Sequence, residues 1–347
     1  MNKKFNFGII GCGVIAPCHA DSIRQIPEAN LYAVCDIVTE KADNFAKKYG
    51  VEKIYYNYRD MLKDSKIDIV NICVPSGLHG EISIAAAKSG KHIVCEKPME
   101  ITSEKMEDVI KAVRENGVKM QVIHQRRTMS LALATKKAIQ EGKLGKIVLA
   151  SAYLKYYRPQ EYYDSGDWRG TWKLDGGGAL MNQGVHGVDL LVWMVGEKID
   201  KVFARAGTLA RDIEVEDTAV ALLQFSGGGY GVIEGATTTY PGFDTKFEIH
   251  GEKGTIIFSD AGLEKWEFIG EKIPTPKSSE KLGGANNPSE IKCAGHYILL
   301  KDIMDAIRTN REPMIPPEEG KKAVDLILTI YKAAKEDKDI NLLKDEI

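Results

Sequence analysis

Between residues 5 and 16 the chain reads FNFGII and then Gly11-Cys12-Gly13-Val14-Ile15-Ala16, so a short apolar run passes directly into a GxGxxA turn and a helical pattern. No other feature constrains the fold as much, because this order is the strand–turn–helix opening of a doubly wound α/β domain. The first glycine permits the tight turn, the second lets backbone approach a pyrophosphate, and the helix N-terminus offers its N–H donors to that charge. Up to about residue 125, the runs LYAVCD, DIVNICVP, KHIVCEKP and KMQVIHQ alternate with helical periods around 39–49, 80–89 and 103–116. Short strands separated by helices predict a Rossmann domain over 1–125, a parallel sheet with helices on both faces. Asp36 ends the second run, 23 residues after Gly13, where a carboxylate binds the adenosine ribose hydroxyls. Gly11, Gly13, Val14, Ile15 and Asp36 therefore predict NAD as cofactor. NADP is disfavoured, since its 2′-phosphate would meet Asp36 with like charge and no Arg or Lys follows until Lys41.

After residue 145 the texture changes. KIVLASAYLKYYRP leads into an aromatic loop, QEYYDSGDWRGTW, then Asp175-Gly176-Gly177-Gly178 and an apolar helix, ALMNQGVHGVDLLVWMVG. Alternating stretches separated by Gly-rich turns follow, and two helices near 295–309 and 318–336 end the pattern. These predict a second, α+β domain over 126–347 with a large, open, mostly antiparallel sheet. Residues 272–290 are the best candidate for a mobile loop. With 44% apolar and 28% charged residues in 347, disorder and low complexity are excluded. The formal net charge of -2 argues against a nucleic-acid partner. No window approaches 18 uninterrupted apolar residues, which predicts no membrane span, and the lysine-bearing N-terminus is broken too early to be a signal peptide. Cys12, Cys18, Cys35, Cys73, Cys95 and Cys293 form no CxxC pair and read as buried free thiols of a cytoplasmic protein. No metal is expected, because no His/Cys/Asp set has ligand spacing; His19, His92, His124 and His250 read as structural.

GCGVIA, PSGLHGEI (75–82), GKHIVCEKP (90–98), GKLGKI (142–147) and GGGALMNQGVHGVDLLVWMVG (176–196) occur in an order that resembles the glucose–fructose oxidoreductase, inositol dehydrogenase and rhizopine-catabolism family. The resemblance runs over nearly the whole chain. It implies an NAD-dependent dehydrogenase that moves a hydride between a secondary alcohol of a carbohydrate or polyol and the nicotinamide. Such chemistry needs one group to take the hydroxyl proton and another to steady the oxygen's charge. The resemblance implies that Lys97, at the C-terminal end of a strand, is the catalytic lysine and that His186 is the catalytic histidine. Asn182 stands where the inositol dehydrogenases carry Asp, which removes a charge and retains hydrogen bonding, so Asn182 is expected to orient substrate.

Asn182, His186 and Asp189, at i, i+4 and i+7, are expected on one helix face. Pro75, His79, Glu96 and Lys97 match cofactor-side positions, as do Trp168 and Arg169. Tyr156, within the aromatic tract, is a candidate for the substrate wall beside Lys97, Asn182 and His186. Polyols, free sugars and nucleotide sugars all stay open as substrates, as does the direction of reaction. Two other readings are an NAD-dependent redox-elimination glycosidase of the same superfamily and a non-enzymatic NAD or sugar sensor; the presence of both Lys97 and His186 counts against the second. Apolar residues on both faces of the 199–269 sheet (Val220 and Leu222 against Ala219, Leu223 and Phe225) predict a homodimer or homotetramer, the assembly that the resemblance also implies.

Overall fold

The computed structural model describes residues 4–276, 293–336 and 340–341. From residue 277 on, the loop expected over 272–290 lies outside the described residues. Two compact units form, Met1–Gln125 with Lys292–Lys321, and Arg126–Ile291 with Lys322–Ile347.

In the first unit, β1 (Phe5–Ile10), α1 (Ala16–Gln25), β2 (Ala29–Cys35), α2 (Thr39–Tyr49), β3 (Lys53–Tyr55), α3 (Tyr58–Leu62), β4 (Ile69–Ile72), α4 (His79–Lys88), β5 (His92–Cys95), α5 (Ser103–Glu115) and β6 (Met120–Val122) alternate along the chain. The strands pair in the order β3-β2-β1-β4-β5-β6, every pair parallel. Residues of β4 are buried at every position, because helices cover both faces; this is why such strands read as unbroken apolar runs. Strand order reverses between β1 and β4, and the Gly-rich turn leaves β1 at that switch point.

The second unit contains α6 (Ser130–Gln140), β7 (Ile147–Lys155), α7 (Gln160–Asp164), a π-helical turn (Ala179–Gly184), α8 (Val185–Val195), β8 (Ile199–Gly207), β9 (Thr218–Phe225), β10 (Tyr230–Ala236), β11 (Lys246–Gly251), β12 (Gly254–Ser259) and β13 (Gly262–Phe268). Its sheet runs β13-β12-β11-β7-β10-β9-β8-β14, with β14 (Ile340–Asn341) at the edge; only β7 and β10 pair in parallel. The mostly antiparallel sheet expected from the alternation is therefore present. Ala219, Ala221, Leu223 and Phe225 are buried on one face of β9, and Val220 and Leu222 are exposed on the other. Next come α9 (Ala294–Thr309) and α10 (Pro317–Glu336).

Residues 293–321 fall in the first unit, whereas the sequence-based boundary placed all of 126–347 in the second domain. They pack with the first unit, where α9 lies against α1. A covalent bond fixes this pairing, for Cys18 of α1 is disulfide-bonded to Cys293, the residue before α9. The expectation of six free thiols is thus corrected at two positions, while Cys12, Cys35, Cys73 and Cys95 are free.

Candidate active site

Gly11 takes φ +94°, and a Cβ there would lie 2.5 Å from the Cys73 carbonyl oxygen, so only glycine fits the turn. A Cβ on Gly13 would meet nothing within 4 Å, which leaves its backbone open to a ligand. The first turn of α1 carries Pro17, which has no N–H, and its Ala16 and Cys18 N–H groups turn back onto the Gly13 and Ile15 carbonyls, so the Gly11–Ile15 turn before it is where backbone can meet an anion. The Asp36 carboxylate accepts from the Cys12 N–H at 2.8 Å and the Val38 N–H at 2.9 Å, which fixes it beside the turn. Val14 (64% exposed) and Ile37 (84%) leave apolar surface next to it. An open anion cradle, an oriented carboxylate and bare apolar side chains fit a dinucleotide: pyrophosphate, ribose and base in turn.

Lys97 follows β5 and is half-buried, framed by groups that point inward. Before it, Glu96 accepts from His19 Nε2 at 2.8 Å and from His296 Nε2 at 3.1 Å, both onto Oε1. After it, the Pro98 carbonyl meets His79 Nδ1 at 2.6 Å, and the Glu100 carboxylate accepts the Gly80 N–H at 2.8 Å. His79 is buried, and its Nε2 faces the Val74 carbonyl at 2.9 Å, so the ring braces the β4–α4 connection against the lysine's segment. Burial pushes its pKa down. Pro75 opens the 3-10 turn that precedes His79.

His19, Glu96 and His296 are a group whose ligand atoms lie within 4.8 Å of one another, a set that linear spacing hides. Hydrogen bonds complete it. His19 Nδ1 meets Asn71 Oδ1 at 3.1 Å, and the Asn71 amide nitrogen donates to the Gly8 carbonyl, so both ring nitrogens of His19 face acceptors. Two acceptors at the ring favour the charged form of His19. Burial opposes that charge, but Cys73 and Glu96 outweigh it and hold the pKa well above the ordinary value. Burial likewise works against the Glu96 carboxylate, and its two histidine donors hold it well below the usual carboxylate range.

In the second unit, the helix carrying Asn182 and His186 begins with a wide turn: the Gln183 N–H bonds back five residues to the Gly178 carbonyl. This π-helical turn corrects the single straight face expected for Asn182, His186 and Asp189, because the extra residue in the turn rotates His186 and Asp189 relative to Asn182. Asn182 Nδ2 donates to Asp175 Oδ1 at 2.6 Å, whereas Asp189 is buried in a two-pronged pair with Arg127 at 2.9 and 2.7 Å. His186, in the first turn of α8, is half-buried. Asp175 thus sets a carboxylate against the Asn182 amide, and its second oxygen accepts the Gly170 N–H.

Glu216 accepts from the Gly178 and Leu180 N–H groups and from the Tyr331 hydroxyl, capping the π turn. Tyr156 is buried with its hydroxyl on Thr245 Oγ1 at 2.8 Å, which makes it a core contact within this unit. The Arg169 guanidinium lies 4.4 Å from the Tyr162 ring centroid and 4.7 Å from that of Trp168, and Arg158 lies 5.6 Å from the same Tyr162. Nothing in the sequence singles out Glu216 or His296, and Asp175 is marked only as the acidic residue heading the glycine run.

The model of the NAD-binding Rossmann fold of an oxidoreductase family matches residues 5–124, and that of the GFO/IDH/MocA C-terminal domain matches residues 132–257. The crystal structure of the WlbA dehydrogenase from Bordetella pertussis, in complex with NADH and UDP-GlcNAcA, is 34% identical; the match covers 99% of this chain and 100% of that one with a TM-score of 0.88. The chain belongs to the GFO/IDH/MocA oxidoreductase family. Levoglucosan dehydrogenase from Pseudarthrobacter phenanthrenivorans is 31% identical over 74% of each chain, and myo-inositol 2-dehydrogenase from Thermotoga maritima is 26% identical over 96% of this chain and 98% of its own. This family member is an NAD-dependent oxidoreductase of sugar or polyol alcohols. No helix among the described residues is long and apolar enough to cross a membrane.

Proposed function

We propose that the substrate is a sugar acid carried on a nucleotide, oxidised at a secondary ring hydroxyl. The observation that carries this reading is Arg169: its Nε is buried with no hydrogen-bond partner among the described residues, while its guanidinium stacks on Tyr162 and Trp168. A buried guanidinium donor left open costs free energy unless an anion meets it. A neutral polyol supplies no such anion, whereas a uronate carboxylate does. WlbA, which matches this chain along its full length, binds UDP-GlcNAcA, and that likeness supports the same class of ligand here.

Bound NAD supplies the hydride acceptor. Gly11, Gly13, Val14, Ile15, Asp36, Pro75 and Trp168 serve the cofactor, and Glu96 and His79 serve it indirectly by framing Lys97. The Lys97 ammonium steadies the developing alkoxide. His186 accepts the proton, and Asn182, held by Asp175, orients the hydroxyls. The enzyme works in the cytoplasm, where its NAD is held, and as a homo-oligomer.

The test is an NADH absorbance screen of UDP-linked uronates, free uronates, aldoses and inositols. The nucleotide-linked uronates are expected to give the highest kcat/KM; a free polyol that exceeds them overturns the reading. Arg169→Ala is expected to raise KM for the uronate with NADH affinity unchanged, whereas weakened NADH binding would return Arg169 to the cofactor side. Lys97→Ala is expected to lower kcat by roughly 10² to 10⁴.

A further inference from the structure

We propose that the Cys18–Cys293 bridge is a thiol–disulfide exchange site whose redox state sets the affinity of the first unit for its dinucleotide. Cys18 is the third residue of α1, directly after the Gly11–Ile15 turn, and Cys293 immediately precedes α9, 275 residues later. The bond therefore ties the first turn of the helix whose N-terminus meets the pyrophosphate to the start of another helix. Opening it removes a covalent restraint within one turn of the anion cradle.

The two sulfurs differ in access. Cys18 is buried and Cys293 is half-buried, so an incoming thiolate reaches Cys293. Cys18 is the leaving sulfur, and it has a waiting partner. His296 Nδ1 lies 3.8 Å from Cys18 Sγ, while Nε2 of the same ring contacts Glu96 Oε1 at 3.1 Å. With Nε2–H donated to the ionised Glu96, His296 presents a lone pair at Nδ1 that an S–H at Cys18 satisfies and a disulfide does not. The remaining free cysteines do not compete: burial pushes the thiols of Cys12 and Cys35 up to about 12 and raises those of Cys73 and Cys95.

The reductant is a dithiol. One of its thiolates attacks Cys293 Sγ, forming a mixed disulfide as the Cys18–Cys293 bond breaks and its electron pair leaves on Cys18. The second thiolate of the dithiol then attacks its own sulfur in the mixed disulfide, closing a cyclic disulfide and releasing Cys293. Two electrons pass to the protein and the two thiol protons of the reductant end on Cys18 and Cys293. Other contacts survive the step: Ser22 Oγ donates to the Cys293 carbonyl, and Glu96 still joins the rings of His19 and His296. A graded change in affinity follows, without loss of the fold.

The test equilibrates the whole protein in reduced and oxidised dithiothreitol, quenches with acid, maps alkylated peptides, and measures the NADH Kd in each state by fluorescence. Oxidising conditions are expected to link Cys18 to Cys293, and reduction is expected to weaken NADH binding about five- to tenfold. Linkage demands the reciprocal effect, so saturating NADH should shift the dithiol–disulfide equilibrium toward the disulfide by that same factor. Cys293→Ser should bind NADH as the reduced protein does and ignore the reductant, and His296→Gln should slow reoxidation by removing the base that takes the Cys18 proton. Equal Kd values in the two states overturn the proposal, as does a Cys293→Ser protein that still responds, or failure of the linked peptide to form. If Cys293→Ser does not fold, the two redox states of the unaltered protein decide. Absence of NADH binding in both states would instead contradict the dinucleotide assignment.

Discussion

The position of Asp36 between two backbone N–H groups allows its carboxylate little freedom to turn away from a 2′-phosphate. NAD is accordingly expected to be preferred, and Asp36→Ala should reduce the NAD-to-NADP ratio of kcat/KM by at least about tenfold, equivalent to ~1.4 kcal/mol. An unchanged ratio in that variant would show that the carboxylate does not select the cofactor. Asp36 was legible in the sequence because strand end, carboxylate and Gly-rich turn are all local signals. Glu96 was legible only as part of Glu-Lys-Pro; its two histidine donors come from residues 77 before and 200 after it, a convergence that only the tertiary fold creates. The depressed pKa of Glu96 means that its contribution to stability is present above the ordinary carboxylate value and lost as pH falls through the lowered one. The raised pKa of His19 acts in the other direction: its contribution is complete below about 6.5 and is lost as pH rises through the raised value. His296, whose pKa burial lowers, opposes His19 as pH falls below the ordinary imidazole value. Glu96→Gln leaves a buried imidazolium without its counter-charge, so urea unfolding at neutral pH should show a loss of about 3–5 kcal/mol. The acid limb of the stability curve should shrink with it.

Among the elements, the strands and helices of the first unit were readable because each carries its own period and its own Gly or Pro stop. The π turn was not. Apolar spacing from Ala179 to Val195 suits an unbroken α-helix, and what widens its first turn is Glu216, which lies 38 residues beyond Gly178 and takes the N–H groups of Gly178 and Leu180. A buried carboxyl at that point does the work of an N-cap for a helix that has none of its own. Burial raises its pKa, although three donors pull the other way. Glu216→Ala strands those donors in the interior, each costing about 1–3 kcal/mol, and releases the turn that carries Asn182. Thermal unfolding should show the stability loss, and kcat should fall while NADH affinity, which resides in the first unit, stays near that of the unaltered protein. A variant that lost stability but kept full kcat would make Glu216 a structural cap with no bearing on Asn182.

At the scale of the whole molecule, the large sheet has one face buried and another that is not. Phe203, Leu222 and Val232 stand opposite one another on β8, β9 and β10. Phe203, Val220, Leu222 and Tyr230 are 43–51% exposed. Isolated apolar residues on a surface need no explanation, but a contiguous row across neighbouring strands does. Along the same sheet, Lys155 pairs with Glu234 and Lys246 with Glu264, so both signs of charge lie beside the apolar row. A surface that mixes its own complements in this way suits a second copy of itself related by a two-fold axis. The alternation along β9 made the exposure of Val220 and Leu222 legible in the sequence, since only the period of two separates them from their buried neighbours. Light scattering at micromolar concentration is therefore expected to give at least twice the chain mass of 38.4 kDa. Val220→Glu combined with Leu222→Glu places like charges at the centre of that face and should return the protein to 38.4 kDa, with NADH affinity preserved because the cradle belongs to the first unit. A monomeric unaltered protein would refute the assembly, and a double variant that keeps its oligomeric mass would move the interface to another surface.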